Sequence, residues 1–347
     1  MSTGSKMQYV RLGNTGLKVS RICMGCMSFG SSKWMSWVKE GDEAIEVIKA
    51  AYDAGINFFD TADMYSNGES EIILGKALRE IKAPRSRVVI ATKFYGPVYD
   101  DVGKHDLKSV KHNSDMMNRW GTSRKHIFDA VDASLERLGV DYIDVYQVHR
   151  LDGFTPLEET MEALNDLVRS GKVRYIGASL MKAWEFQKMN HIAEKNGWAR
   201  FISMQNCYNL LYREDERELI PYSLDAGVSG MVYSPLAGGA LTGKNRQTER
   251  SENSVTTLKI YKNMDQESNE VIFDRIDELS KKRNVSWAQI SLAWLMSKPY
   301  VASPIVGISK VSHLEDAIKS VELELTEEEI KYLEEPYTAR PDSITRI

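Results

Sequence analysis

Cysteine is scarce: the 347 residues contain three, an odd number that argues against a disulfide framework and fits a reducing compartment. Long apolar runs are missing as well. No stretch approaches the roughly 18 residues that mark a membrane-spanning helix, so no membrane association is expected. The opening MSTGSKMQ also lacks the basic-then-apolar layout of a secretory signal, and a cytoplasmic location is expected. Neither sign of charge is in excess, since 45 Lys and Arg face 49 Asp and Glu for a net charge of −4. Both signs alternate along the chain, which rules out a polyanion-coating surface and, with it, nucleic acid as a partner. His105, His112, His126 and His191 lack metal-ligand spacing and read as surface groups. Cys207 adds no fourth ligand to the Cys23 and Cys26 pair, so no metal is expected.

What is present describes a globular protein, with 42% hydrophobic and 27% charged residues. Short apolar runs at 22–25, 57–60, 88–93, 142–149, 173–179, 201–205, 228–234 and 302–307 alternate with segments of helical spacing. Such repeated βα units imply a parallel sheet, and eight of them predict an α/β fold, a (β/α)8 TIM barrel, in a single domain over 1–347. Helix boundaries can be read at several points. Thr155 and Glu158 are placed for a capping box around Pro156, followed by Leu157, Met161, Leu164 and Val168 and closed by Gly171. Asp42 ahead of Ala44, Ile45, Ile48 and Ala51, then Gly55, repeats that logic. Ser286 with Gln289 and Ser312 with Glu315 form two further boxes. Residues 8–10 and 17–19 around Gly13-Asn14-Thr15-Gly16 read as a hairpin that could plug the barrel floor. The stretches 94–122 and 237–268 are long, polar and weakly periodic, as functional covers at a barrel's C-terminal face or disordered segments would be.

Active sites in such barrels lie at the C-terminal ends of the strands, and here the runs end in Asp60, Lys93, His149, Ser179, Gln205, Ser234 and Gly307. Tyr65 follows Asp60 by five residues. A lysine beside a phenol favours the phenolate, and a carboxylate keeps that lysine charged, so Tyr65 is a candidate general acid with Lys93, Asp60 and His149 around it. Trp34 and Trp37, after the first strand, suit a substrate pocket or a loop anchor. Competing motifs are weaker. GGALTGK at 238–244 nearly reads as a phosphate loop, but Asn245 stands where Ser or Thr is required. Cys23 and Cys26 fall at a strand, not the helix start that a redox pair needs.

The segments FFDTADMYSNGESE, ATKF, YQVH, GAS, MQNCYNL and YSPLAGGALTGK, in that order over about 7–335, resemble the aldo-keto reductases. KNGW, NLLYRE and 310–336 resemble the fungal branch with aryl-alcohol dehydrogenases and versiconal hemiacetal acetate reductase. Residues 336–347 read as a C-terminal tail. The resemblance implies a barrel with an N-terminal β-hairpin that reduces an aldehyde or ketone with NADPH by direct hydride transfer. Asp60, Tyr65, Lys93 and His149 match the catalytic tetrad, and Asp60 also borders the cofactor. Ser179 and Gln205 match the residues that hold the nicotinamide carboxamide, and Tyr233 matches the ring that stacks on it. Ser234, Leu236, Gly238 and Lys244 match the pyrophosphate loop; Gly307, Ser309, Lys310, His313 and Asp316 match the adenosine and 2′-phosphate end. Trp34, Phe94, Tyr95 and Trp120, with His149, are expected around the substrate. The sequence departs from the pattern at Leu180, where Asn or Ser often anchors the amide, at Gly238, where Arg is frequent, and at Ala317, where Asn is frequent. Some relatives act as cofactor-binding redox sensors with negligible turnover, which is the competing expectation.

Overall fold

The computed structural model describes residues 7–106, 110, 113–244 and 266–341. In chain order the elements begin with β1 (Tyr9–Arg11), β2 (Lys18–Ser20), β3 (Cys23–Gly25), α1 (Gly41–Asp53), β4 (Phe58–Asp60) and α2 (Glu69–Glu80). Next come β5 (Val89–Phe94), α3 (Arg124–Leu138), β6 (Ile143–Val148), α4 (Leu157–Arg169), β7 (Val173–Ser179), α5 (Ala183–Asn196) and β8 (Phe201–Gln205). The last are α6 (Leu219–Asp225), β9 (Ser229–Gly230), α7 (Gln266–Arg283), α8 (Trp287–Met296), β10 (Ile305–Gly307), α9 (Val311–Lys319) and α10 (Glu327–Glu334). The chain divides into two compact units, one over 24–204 with 307–309 and the other comprising 1–23, 205–306 and 310–347.

The first unit carries β3 to β8 in chain order, with parallel pairing from β3 to β7. β5 and β6 are buried along their whole length, as strands covered on both faces must be. The register places Lys93 opposite Gln147 and Gly25 opposite Asp60, which fixes the strand ends that bear the site. On α4 the buried stripe is Met161, Ala163, Leu164 and Leu167. Thr155 does not cap this helix. Its hydroxyl donates to Asp152 at 2.7 Å, and Pro156 takes the cap position without a side-chain bond. Asp42 lies inside the first turn of α1, where it favours the helix dipole instead of capping.

In the second unit β1 and β2 pair antiparallel, Tyr9 opposite Ser20, one residue later than the apolar pattern suggested. The Gly13 amide donates to Ser229 Oγ at 2.9 Å and the Asn14 amide to Gly227 O at 2.7 Å. The hairpin therefore lies against the chain that enters β9, on the floor side of that strand. Tyr233 N donates to Asn206 O, Ile305 N to Val232 O and Cys23 N to Pro304 O. With the strand order β10-β3-β4-β5-β6-β7-β8-β9, these pairings make the fold a (β/α)8 barrel with an N-terminal hairpin. β9 is only two residues long, against seven in the apolar run 228–234. The core of this unit gathers Tyr208, Trp287, Trp294, Tyr300 and Ile276, and burying each such side chain contributes about 1.5–3 kcal/mol. The Ser286–Gln289 capping box is present. α9, by contrast, has Lys310 at its cap with no side-chain bond, so the Ser312–Glu315 box is absent. The expected loop over 237–268 lies partly outside the described residues, which resume at Gln266 in α7.

Candidate active site

β4 is three buried residues, Phe-Phe-Asp, and the chain past its end still follows β5, with Thr61 N on Ala91 O and Asp63 N on Lys93 O at 3.0 Å. Tyr65 then sits at the start of a short 3-10 turn, Tyr65–Gly68. From β5 the Lys93 side chain, with no exposed surface, spends its three donors on Asp60 Oδ2 at 2.7 Å, Thr61 O at 2.8 Å and Tyr65 Oη at 3.2 Å. Gln147, on the paired residue of β6, donates to Asp60 Oδ1 at 3.0 Å. Strand alternation places His149 on the same side as Gln147, and its amide donates to Phe94 O at 3.1 Å. The imidazole stands edge-on to Tyr65, ring centroids 5.9 Å apart at 84°, and its Nδ1 is buried without a hydrogen-bond partner.

Burial alone would strip the proton from Lys93, but Asp60 and Tyr65 outweigh it and hold the ammonium above its ordinary range. His149 goes the other way. Its burial, then the positive charges of Lys93 and Arg150, push the imidazole well below its usual value, leaving it neutral near pH 7. The arrangement is thus a buried cation beside a phenol, with a neutral imidazole against the phenol's ring.

Sequence reasoning missed a second polar cluster on the opposite face of the same strands. Thr92 donates to Glu71 Oε1 at 2.6 Å, and Arg137 Nε from α3 donates to Glu71 Oε2 at 2.7 Å. Asp63 is 1% exposed, and neither of its carboxylate oxygens has a hydrogen-bond partner; the Tyr146 hydroxyl is also buried without one. Burial and the Glu71 charge raise the Asp63 carboxyl to about 8 against the pull of Arg137 and the amides of Met64 and Tyr95. A signal existed in DTADMYSNGESE, which alternates too many carboxylates for one solvent-facing edge. Gln147, the glutamine of YQVH, is a further polar residue that strand alternation turns toward Asp60.

The substrate-side residues separate. Trp34 packs on Tyr65 at 6.4 Å and on Trp37 at 6.4 Å. Tyr95 meets Trp120 edge-on at 6.2 Å, and Trp120 meets Phe154 at 5.6 Å. Phe154, which the sequence did not single out, is 66% exposed. Phe94 is buried instead of lining a mouth, its ring stacked 5.0 Å from Tyr146 and 6.4 Å from His126. His126 is accordingly no surface group. Burial lowers its imidazole to about 4.

Of the residues matched to the dinucleotide, Ser179 ends β7 fully buried and is followed by Leu180 with φ 51°; Gly307 and Ser309 belong to the same unit. In the other unit Gln205 is buried and Tyr233 N is bonded to Asn206 O. The segment that follows contains Leu236 and five residues of positive φ: Ser234, Ala237, Gly238, Gly239 and Gly243. Ala237, Gly238 and Gly239 are consecutive in that region, and the amides of Ala237, Gly239 and Leu241 donate within the turn to Ser234 O and Leu236 O. Glycines at 238 and 239 suit a pyrophosphate by letting it approach the backbone closely. Lys310 caps α9 and is exposed, and His313 N donates to Lys310 O. Among the matched side chains, Lys244 meets Asp274 at 2.6 Å, and Asp316 accepts from Gln289 at 2.9 Å. Among the described residues no His, Cys, Asp and Glu cluster could hold a metal, and no helix is long and apolar enough to cross a membrane.

The aldo/keto reductase family model matches residues 21–337. The chain is 51% identical over 339 residues to versiconal hemiacetal acetate reductase of Aspergillus parasiticus, covering 96% of this chain and 98% of that one. It is 49% identical over 357 residues to a Schizosaccharomyces pombe protein named as a candidate aryl-alcohol dehydrogenase, covering 98% and 99%. An aldo-keto reductase of Fusarium vanettenii is 45% identical over 349 residues, covering 97% and 93%. The barrel, the matched span and these full-length relatives show that the chain belongs to the aldo/keto reductase family, oxidoreductases that act on small carbonyl compounds with a nicotinamide dinucleotide.

Proposed function

We propose that this protein reduces an aldehyde or ketone to the alcohol with NADPH, Tyr65 acting as the proton donor. The observation that carries the reading is the fully buried Lys93 ammonium, bonded at once to Asp60 and to the Tyr65 hydroxyl. The bound dinucleotide supplies the hydride. As the carbonyl oxygen gains negative charge, the Tyr65 hydroxyl gives it a proton, and Lys93 stabilises the phenolate left behind. Asp60, itself held by Gln147, keeps Lys93 charged and in place. A neutral His149 can hydrogen-bond the carbonyl oxygen and orient it without competing for the proton. General acid catalysis of this kind contributes typically 10² to 10⁴ in rate.

On this reading Ser179, Gln205 and Tyr233 hold the nicotinamide, 234–244 the pyrophosphate, and 307–316 the adenosine end, while Trp34, Tyr95 and Trp120 contact substrate. The same reading makes the chain a single barrel domain of the cytoplasm. On this reading NADPH is preferred over NADH, because Ser309, Lys310 and His313 match the family's 2′-phosphate positions. Charge-assisted hydrogen bonds contribute roughly 1.5–3 kcal/mol each, so Lys310→Ala should weaken NADPH by about tenfold and barely change NADH in fluorescence titration. Equal losses would remove the preference. NADPH oxidation with a broad panel of aldehydes and ketones tests the activity itself: turnover with at least one of them is expected, and NADPH binding without turnover on any would favour a cofactor-binding sensor.

A further inference from the structure

The turn that follows Tyr65 is held in an unusual conformation. Ser66 and Asn67 both occupy the left-handed region, at φ 49° and 52°, and Gly68 follows at φ 96°. Consecutive left-handed residues are disfavoured for L-amino acids, and a serine there has no local compensation. The surroundings must therefore impose the turn, and the hydrogen bonds show how. Asn67 Nδ2 donates to the carbonyls of Asp101, Val102 and Lys104, at 3.2, 3.1 and 2.6 Å. Its Oδ1 accepts from the Tyr99 amide at 3.1 Å. One side chain thus gathers four backbone groups of the loop after β5. On the other side Ser66 Oγ accepts from the Ser31 amide at 3.2 Å. A Cβ on Gly30 would lie 2.1 Å from that oxygen, and a Cβ on Gly68 would lie 2.5 Å from Arg137 Cδ. The turn has no room to relax toward the 30–31 segment or α3, which leaves the 99–104 loop as the side that a single side chain controls.

We propose that Asn67 is a positioning residue for Tyr65: by tying the left-handed turn to the 99–104 loop, it sets the distance between the tyrosine hydroxyl and Lys93. The consequence for the reaction rests on the proton-donor reading of Tyr65, but the consequence for the phenol does not. A tyrosine held beside the ammonium ionises more readily than one released from it. Asn67→Gly removes the four tethering bonds while making the left-handed backbone easier to adopt, so loss of fold is not the expected result. Asn67→Asp keeps an acceptor for Tyr99 but turns a carboxylate toward three carbonyls, and it carries the same comparison should N67G not fold.

The test is a ¹³Cζ-tyrosine NMR titration, the Tyr65 signal being the one absent from the Tyr65→Phe protein, run beside steady-state kinetics. In N67G the Tyr65 midpoint should rise by about one pH unit or more as the phenol leaves the ammonium. In the same protein kcat should fall about tenfold or more, as misplacement of a reacting group by about 1 Å commonly causes, and the alkaline limb of the kcat profile should move up with the midpoint. NADPH affinity should stay within about twofold, because Asn67 lies outside the dinucleotide positions. A Tyr65 midpoint unchanged from the unmodified protein overturns the proposal, whatever happens to kcat. A raised midpoint with undiminished kcat upholds the positioning role and overturns Tyr65 as the proton donor.

Discussion

β5 and β6 place polar side chains on both of their faces, and the two faces are balanced differently. On one, Lys93 and Gln147 converge on Asp60, and every donor of the buried ammonium has an acceptor. On the other, Thr92 and Arg137 complete Glu71, but Asp63 makes no well-formed hydrogen bond and has only the pull of the Met64 and Tyr95 amides and a share of one guanidinium. Each face has a single cation. The first has one carboxylate to match it; the second has two. A buried charge without a partner takes or loses a proton instead of remaining charged, so the second face settles its surplus by keeping Asp63 protonated. The face that is balanced is the one that carries the candidate chemistry, and it needs no ligand to be so.

The strongest way to break this comparison is to remove the cation of the second face. Arg137→Met should leave Glu71 buried and unpaired, at a cost of about 3–5 kcal/mol, measured by denaturant unfolding. A loss below about 1 kcal/mol, the range of exposed ion pairs, would mean that the cluster is not a sealed one. Asp63→Asn sharpens the comparison with a smaller effect. The folded-state value of Asp63 is raised from 3.8 to about 8, so the folded protein holds a proton that the unfolded chain releases. The stability this represents is fully present below about pH 4 and is lost as pH rises toward 8, by at most about 1.4 kcal/mol per pH unit. Asp63→Asn should therefore lack that decline and be the more stable protein at pH 8, with no advantage at pH 4. A pH dependence identical to the unmodified protein would show that Asp63 is ionised.

Leu180 gives the smallest effect and belongs to neither cluster. Its φ of 51° is one that Asn tolerates and a γ-branched apolar residue does not favour. Leu180→Asn should raise stability by up to about 1 kcal/mol and leave NADPH affinity equal or tighter, by thermal unfolding and fluorescence titration. A marked loss of affinity would mean that its apolar packing matters more than its backbone.

The barrel was legible because short apolar runs separated by amphipathic helical segments can bury both kinds of apolar face in few ways besides a parallel sheet wrapped by helices. Asp60 and Lys93 could be read from their places at run ends, since strand geometry itself fixes which residues meet there, and Tyr65 from its place five residues past Asp60. Helix caps were less legible: Thr155 could serve Leu157 or Asp152, and a carboxylate accepting several bonds won. β9 is two residues long, and its Gly230 lies against the Tyr300 ring, a long-range contact that no local pattern contains. The Asp63, Glu71 and Arg137 cluster escaped for a related reason. Charged residues are seldom buried, and what permits it here is a pairing between α2 and α3, residues far apart in the chain. Asn67 was hidden in the same way, its partners being backbone carbonyls of another loop.

The central claim is that Tyr65, beside a buried ammonium, supplies the proton to the carbonyl oxygen. Single-turnover oxidation of bound NADPH, measured with the most reactive aldehyde of the panel, compares the unmodified protein with Tyr65→Phe, which removes one hydroxyl and little volume. The hydride-transfer rate should fall by about 10² to 10⁴ while NADPH affinity and unfolding temperature stay close to those of the unmodified protein. A Tyr65→Phe protein that keeps most of its hydride-transfer rate would contradict the account.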